Sequence, residues 1–156
     1  ITLMEYFADL GYLGLFISCF LAATFIIPFS PEVVLGALIL KGFDLQLTIL
    51  IATIGNWMGG MTSYFIGRIG DWKKIEKYFK IKKEKVLVFK LRIDKWGSVL
   101  AFFTWFPLGG DILALSLGFF KVDAYKVSIW MLIGKFFRFV VSAIIIYYGI
   151  DLIKFW

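Results

Sequence analysis

The sequence has no histidine, a single cysteine and only three prolines. Histidine is the most frequent general base and metal ligand, so its absence argues against most acid–base catalysis and against zinc or haem sites. The one cysteine, Cys19, excludes an internal disulfide framework. The sequence also has no phosphate-binding glycine loop and no nucleophile elbow. We therefore expect no enzymatic activity, no metal and no cofactor.

Charged residues are also few, at 18% of the chain, whereas 61% of the 156 residues are hydrophobic and 20% are aromatic. The mean hydropathy is +0.87. Soluble domains are nearer to about half apolar, and one small core cannot hide this much apolar surface. The composition and length therefore predict a single all-α integral membrane domain over residues 1–156.

The positive charge is concentrated in one segment. Eleven of the 17 basic residues lie between Arg68 and Lys95, where apolar residues recur at helical spacings. This pattern indicates amphipathic helices on a membrane surface, and the positive-inside rule places segment 68–95 in the cytoplasm. Because the segment lies between membrane segments, its expected contact is anionic lipid and not nucleic acid. The lysines concerned are Lys73, Lys74, Lys77, Lys80, Lys82 and Lys83.

Two interrupted apolar stretches share one pattern. Helix-breaking residues precede a carboxylate in both, with Pro28 and Pro31 before Glu32, and Pro107, Gly109 and Gly110 before Asp111. The two carboxylates are 79 residues apart, and the pairs Asp44–Asp123 and Gly55–Gly134 share that offset, which indicates an internal duplication. Eight uncharged residues follow Glu32 and nine follow Asp111, too few to cross a bilayer. We therefore predict two re-entrant hairpins that break at these sites.

Each hairpin is followed by one segment that is long enough to cross the membrane, at 45–67 and at 124–150. The first of these is the clearest span. One crossing per half inverts the second half relative to the first, which predicts two inverted-topology repeats, about 10–67 and 97–150, whose hairpin tips meet near the midplane. Several residues of the first span are expected to pack closely against another helix. They are Gly55, Asn56, Gly59, Gly60 and Tyr64.

Four ionisable residues fall at membrane depth: Glu32, Asp111, Lys135 and Arg138. Each costs about 2.5–3.5 kcal/mol at the bilayer centre, so such residues are kept where pairing or function offsets the cost. In one interpretation, Glu32–Arg138 and Asp111–Lys135 are structural ion pairs. In a second, the carboxylates carry protons during transport. In a third, Arg138 and Lys135 bind a substrate phosphate, which is compatible with the second.

The motifs together resemble the DedA family, also called the SNARE-associated or VTT-domain group. They are Pro28-x-x-Pro31-Glu32, then Gly55-Asn-x-x-Gly59-Gly60-x-x-x-Tyr64-x-x-Gly67-Arg68-x-Gly70, and Phe106-Pro107 with Gly118 beyond it. Segments 105–111 and 134–139 are similar to the YqaA-like branch. The resemblance implies an inner-membrane protein with two facing re-entrant hairpins that moves lipids between leaflets. Where the family carries two arginines around the second-hairpin proline, this chain has Trp105 and Gly110, which leaves Arg138 and Lys135 as its intramembrane cations.

The expected function is therefore that of a flippase or scramblase for a phosphate-bearing lipid, such as a polyprenyl phosphate or a phospholipid, with proton coupling through Glu32 and Asp111. One alternative is a transporter of small ions or oxyanions that uses the same broken hairpins. Another is a membrane organiser that transports nothing and recruits partners through its basic segment. A homodimer is expected, because a second copy would cover the glycine-lined helix.

Overall fold

A computed structural model of the chain describes residues 10–22, 31–70, 73, 76, 77, 84, 87, 90–105 and 110–155. Regular structure within these residues is helical throughout, as the composition predicts. The elements are α1 (Tyr12–Ala22), α2 (Pro31–Leu40), α3 (Leu45–Ile69), α4 (Lys90–Trp96), a 3₁₀ helix (Gly97–Trp105), α5 (Gly110–Phe119) and α6 (Ala124–Phe155). Several predicted positions lie outside the described residues, namely Pro28, Lys74, Lys80, Lys82, Lys83, Pro107 and Gly109. Lys73 and Lys77 are described and are exposed.

Helix α3 is closed at both ends by local signals in the sequence. The Asp44 carboxylate accepts a hydrogen bond from the Leu47 amide at 2.9 Å, which caps the first turn. At the other end, Gly70 adopts a left-handed conformation with φ of 75° and donates its amide to the Gly67 carbonyl. The predicted helix at 45–67 is therefore confirmed and extends to Ile69, and its 25 residues measure about 37 Å.

Helix α6 is the only described helix that is both long enough and apolar enough to cross a membrane, over Ala124–Gly149. Asp123 caps it by accepting a hydrogen bond from the Tyr125 amide at 3.0 Å. Helix α3 is long enough as well, but polar residues such as Gln46 and Asn56 lower its hydropathy. The prediction that α3 is the clearest span is thus corrected in favour of α6.

The structure also corrects the extent of the two predicted breaks. Pro31 and Gly110 are the first residues of α2 and α5, and Glu32 and Asp111 follow in the first turns of those helices. Proline is favoured at this position because the first helical amide has no intrahelical acceptor to lose. The apolar segment before the second break is a 3₁₀ helix over nine residues, whereas its counterpart α1 is an α-helix.

The 79-residue offset of the sequence recurs in the backbone. Helices α2 and α5 begin and end at matching positions, and so do the starts of α3 and α6. In the turn after α2, the Phe43 amide donates to the Leu38 carbonyl, and in the turn after α5 the Val122 amide donates to the Leu117 carbonyl. Gly42 and Lys121, also at matching positions, both have positive φ. The same local structure is therefore built twice.

The apolar core has two main parts, and α3 contributes to both. One part contains Met61 and Tyr64 of α3 together with residues of α5 and α6, among them Leu117 and Met131. The other gathers residues of α1 and α2 around Ala52 of α3 and Phe139 of α6. Because α3 connects both parts, its position fixes the relation between the two halves of the chain.

Glycines set how closely the helices approach α3. The five residues predicted to pack there, Gly55, Asn56, Gly59, Gly60 and Tyr64, are all buried. The tightest contact lies elsewhere, between α3 and α5: a Cβ at Gly67 would overlap the Leu115 carbonyl oxygen, and one at Gly118 would overlap the Tyr64 carbonyl oxygen. Gly67 and Gly118 were not among the predicted packing residues, although both belong to the motifs quoted above.

Candidate functional site

An ion pair joins α2 to α6. The Arg138 Nε donates to Glu32 Oε1 at 2.7 Å, and Arg138 Nη2 lies 2.6 Å from the same oxygen. The two side chains remain 16% and 27% exposed, respectively. The contact predicted between Glu32 and Arg138 is therefore present, and both side chains remain partly exposed at the surface of the protein.

Lys135 lies one turn before Arg138 but has a different environment. Its side chain is only 1% exposed, and its Nζ donates to the Thr104 carbonyl of the 3₁₀ helix at 3.2 Å. A Cβ on Gly60 would lie 2.6 Å from Met131 Sδ and at an ordinary contact distance of 3.5 Å from Lys135 Cε, so the glycine makes room for Met131 beside the lysine. The side chain of Asp111 is outside the described part of the structure, so the predicted Asp111–Lys135 pair stays a prediction.

Asn56 occupies the position that matches Lys135 in the first half of the chain. Its Nδ2 donates to the Cys19 carbonyl of α1 at 2.9 Å, just as Lys135 donates to a carbonyl of the 3₁₀ helix. Each half thus ties its first short helix to its long helix through one buried donor. Asn56 Oδ1 is buried and has no hydrogen-bond partner among the described residues, so one acceptor in this core is unused.

Cys19 packs in the same buried cluster as residues of α2 and Phe139 of α6, beside the charged residues. It is fully buried and lies within electrostatic range of Glu32, Arg138 and Lys135. Lys135 and Arg138 lie one turn apart on α6 and Arg138 contacts Glu32, so the three charges form one cluster. The Asn56 amide reaches the same region through its bond to the Cys19 carbonyl. In the part of the chain that the structure describes, no group of three or more His, Cys, Asp or Glu residues could hold a metal ion. The Arg138–Glu32 contact makes this cluster a site of charge pairing.

The depth of this cluster follows from the tyrosines of α6. Tyr125 near its start is 76% exposed, and Tyr147 near the end of its apolar stretch is 48% exposed. Exposed tyrosines are typical of the two membrane–water interfaces. At 1.5 Å per residue, Lys135 lies about 15 Å from Tyr125 along the helix axis and about 18 Å from Tyr147. Lys135 and Arg138 are consequently close to the middle of the span.

Comparison with known proteins identifies the family. No family model matches the chain, and no solved structure matches it. The inner membrane protein YqaA of Escherichia coli is 33% identical over 135 residues, which cover 86% of this chain and 89% of that protein. The chain belongs to the YqaA family. This result confirms the resemblance to YqaA-like proteins and the inner-membrane location that it implies.

Relatives of this YqaA-family protein occur in other organisms. An uncharacterized protein of Haemophilus influenzae is 31% identical over 134 residues, or 81% of each chain. An uncharacterized protein of Methanocaldococcus jannaschii is 28% identical over 139 residues, which cover 87% of this chain and 84% of the relative. The similarity in each case extends over most of both chains, so the fold as a whole is shared.

Proposed function

We propose that the chain is a DedA-type translocase that moves a phosphate-bearing lipid between the two leaflets. The observation that carries this proposal is the partly exposed Arg138–Glu32 pair near the middle of the membrane span. A guanidinium group presents several donors and suits a phosphate. A lipid phosphate arriving at the pair would replace the Glu32 carboxylate as the partner of Arg138. Proton coupling would enter at the same step, because Glu32 then loses its cation.

The arrangement of the two matching turns supports inverted repeats. The first turn, at 41–44, leads directly into the start of α3. The second turn, at 120–123, is held near the other end of α3, where the Tyr64 hydroxyl donates to the Val122 carbonyl and Arg68 Nη1 donates to the Tyr64 hydroxyl at 2.7 Å. Two copies of one turn at opposite ends of one long helix are expected when the second half is upside down relative to the first.

Short helices also support the re-entrant arrangement. Helices α2 and α5 have ten residues each, so each measures about 15 Å, half of the hydrocarbon thickness. A helix that begins near mid-depth and ends at an interface needs no more than this length. Each half would then begin its short helix at mid-depth, where Glu32 and Asp111 occupy matching positions in the sequence.

The test is lipid exchange in proteoliposomes with a fluorescent phosphate-bearing lipid and a quencher that does not cross membranes. We expect Arg138→Gln to lower the exchange rate by at least about tenfold, because its loss removes a charged contact worth more than about 1.4 kcal/mol. Lys126→Gln is the matched control, since Lys126 lies on the same helix but is exposed. Full exchange by Arg138→Gln refutes the proposal. Accumulation of free phosphate without lipid exchange favours the oxyanion transporter instead.

A further inference from the structure

The two helices at matching positions, α2 and α5, differ in how the protein covers them. Residues 113–118 of α5 are all buried. On α2, by contrast, the buried residues are Pro31, Val34, Leu35 and Leu38, all on one side. The opposite side of α2 includes Glu32 and Gly36, which are partly exposed, and Val33, which is exposed. The internal duplication has therefore produced one enclosed helix and one helix at the surface.

The contacts made by these helices differ in the same way. Helix α5 meets α3 backbone to backbone at Gly67 and Gly118, with no space for a side chain at either position. Helix α2 meets α6 through side chains: the nearest atom to a Cβ on Gly36 is Ile146 Cδ1 at 3.6 Å, Glu32 contacts Arg138, and Phe139 shares a buried cluster with residues of α2. At the 79-residue offset, Gly36 matches Leu115 and Gly67 matches Ile146. The equivalent pair of residues is therefore in backbone contact at the α3–α5 interface, whereas it is in side-chain contact at the α2–α6 interface.

We propose that the α2–α6 interface, formed by Glu32, Gly36, Arg138 and Ile146, is a lateral portal through which a membrane lipid brings its headgroup to Arg138. The α3–α5 interface is then the fixed part of the structure. This inference rests on the proposed translocase function and adds the path of the substrate. The occupant is a lipid and not a free anion, because the exposed flank of the pair is apolar, with Val33 beside Glu32. A lateral opening lets the tails stay in the hydrocarbon while the phosphate meets the guanidinium.

Reversible cross-linking tests the portal. In a Cys19→Ala background, Gly36→Cys with Ile146→Cys places one thiol on each side of the interface. A short bis-methanethiosulfonate reagent is then added to the proteoliposomes, and lipid exchange is measured before and after treatment with a reductant. We expect cross-linking to lower the exchange rate at least about tenfold, because the opening step becomes limiting, and we expect the reductant to restore it.

The matched control links the other interface. Ile66 of α3 packs against Leu115 of α5, so Ile66→Cys with Leu115→Cys joins the two helices that we consider fixed. Exchange should stay within about twofold of the reduced protein there, since this contact does not open. Full exchange by the protein linked at 36 and 146, or equal losses with both links, overturns the portal. No exchange in the reduced, unlinked protein refutes the translocase function itself.

A second pair of variants tests the portal without cross-linking. Gly36→Leu fills the space beside Ile146, whereas Gly149→Leu adds the same side chain to α6 where nothing lies within 4 Å. We expect Gly36→Leu to slow exchange and Gly149→Leu to leave it unchanged, with both variants eluting as the parent does in size-exclusion chromatography. Equal exchange by the two leucine variants contradicts the proposed path.

Discussion

At the scale of single residues, the Glu32–Arg138 pair combines two properties that rarely occur together. It lies near the middle of the membrane span, where charge is costly, yet both side chains keep some exposed area. Enclosure strengthens the attraction between two charges, because the surrounding dielectric constant is low, but it also removes their solvation. Partial exposure instead leaves Arg138 able to change partners, which is what binding of a lipid phosphate requires.

A double-mutant cycle measures how strongly the pair stabilises the fold. Glu32→Gln and Arg138→Gln should each lower the free energy of unfolding by about 1–3 kcal/mol, because each leaves a poorly solvated charge without its partner. The double variant should lose no more than either single variant. Denaturant titration of the purified protein in detergent gives the three values. Losses that simply add would show that the two side chains do not interact in the membrane protein.

At the scale of helices and turns, the glycines distinguish the two interfaces. Gly118 of α5 lies against the backbone of α3, whereas Gly36 of α2 faces only the side chain of Ile146. An added methyl group therefore meets a carbonyl oxygen in one case and ordinary van der Waals contact in the other. Rigid backbone cannot move aside without separating the helices, so the close approach at Gly118 is a strict requirement for glycine.

Alanine substitutions test this difference. Gly118→Ala should destabilise the protein by about 2–4 kcal/mol, since it forces α5 away from α3. Gly36→Ala should change stability by less than about 1 kcal/mol, because alanine is also the better helix former. Thermal unfolding in a common detergent provides the comparison. Similar melting temperatures for the two variants would contradict the close α3–α5 contact.

Several helical features were predictable because they depend on local chemistry. Asp44 and Asp123 are caps, and their shared offset correctly indicated two helices with matching starts. The sequence pattern predicts Pro31 as part of a break, although proline is equally suited to the first turn of a helix. The difference in burial between α2 and α5 was not predictable from the sequence. It depends on tertiary contacts, because Gly118 lies against the backbone of α3 whereas Gly36 lies against the side chain of Ile146.

The candidate site was predictable in part. Charge at membrane depth pointed to Glu32, Lys135 and Arg138, and the structure pairs Arg138 with Glu32 one turn beyond Lys135. The sequence did not show that Lys135 points to the Thr104 carbonyl while Arg138 meets Glu32, because the helical phase of two residues three apart does not decide which neighbour each one reaches. Asn56 was predicted only to pack, yet its offset match to Lys135 was already a signal that it ties α1 to α3.

At the scale of the whole molecule, the inverted arrangement predicts opposite sidedness for the two turns. Lys41 and Lys121 are exposed residues of the first and second turn. In a Cys19→Ala background, a maleimide that does not cross membranes should label Lys41→Cys in intact spheroplasts. It should label Lys121→Cys only after the membrane is opened, because that turn lies at the Arg68 end of α3 and the basic side faces the cytoplasm. Labelling of both cysteines from one side would exclude inverted repeats.

The spacing of the exposed tyrosines has a consequence for the surrounding membrane. From Tyr125 to Tyr147, α6 covers about 33 Å, slightly more than a typical hydrocarbon thickness of about 30 Å. Helix α6 matches such a bilayer with a small tilt, whereas α2 and α5 reach only about half as far. The bilayer beside α2 thus borders protein of two different heights. Lipids there are drawn inward to cover the shorter wall, so the apolar layer is thinnest beside Arg138, where the proposed translocation would take place.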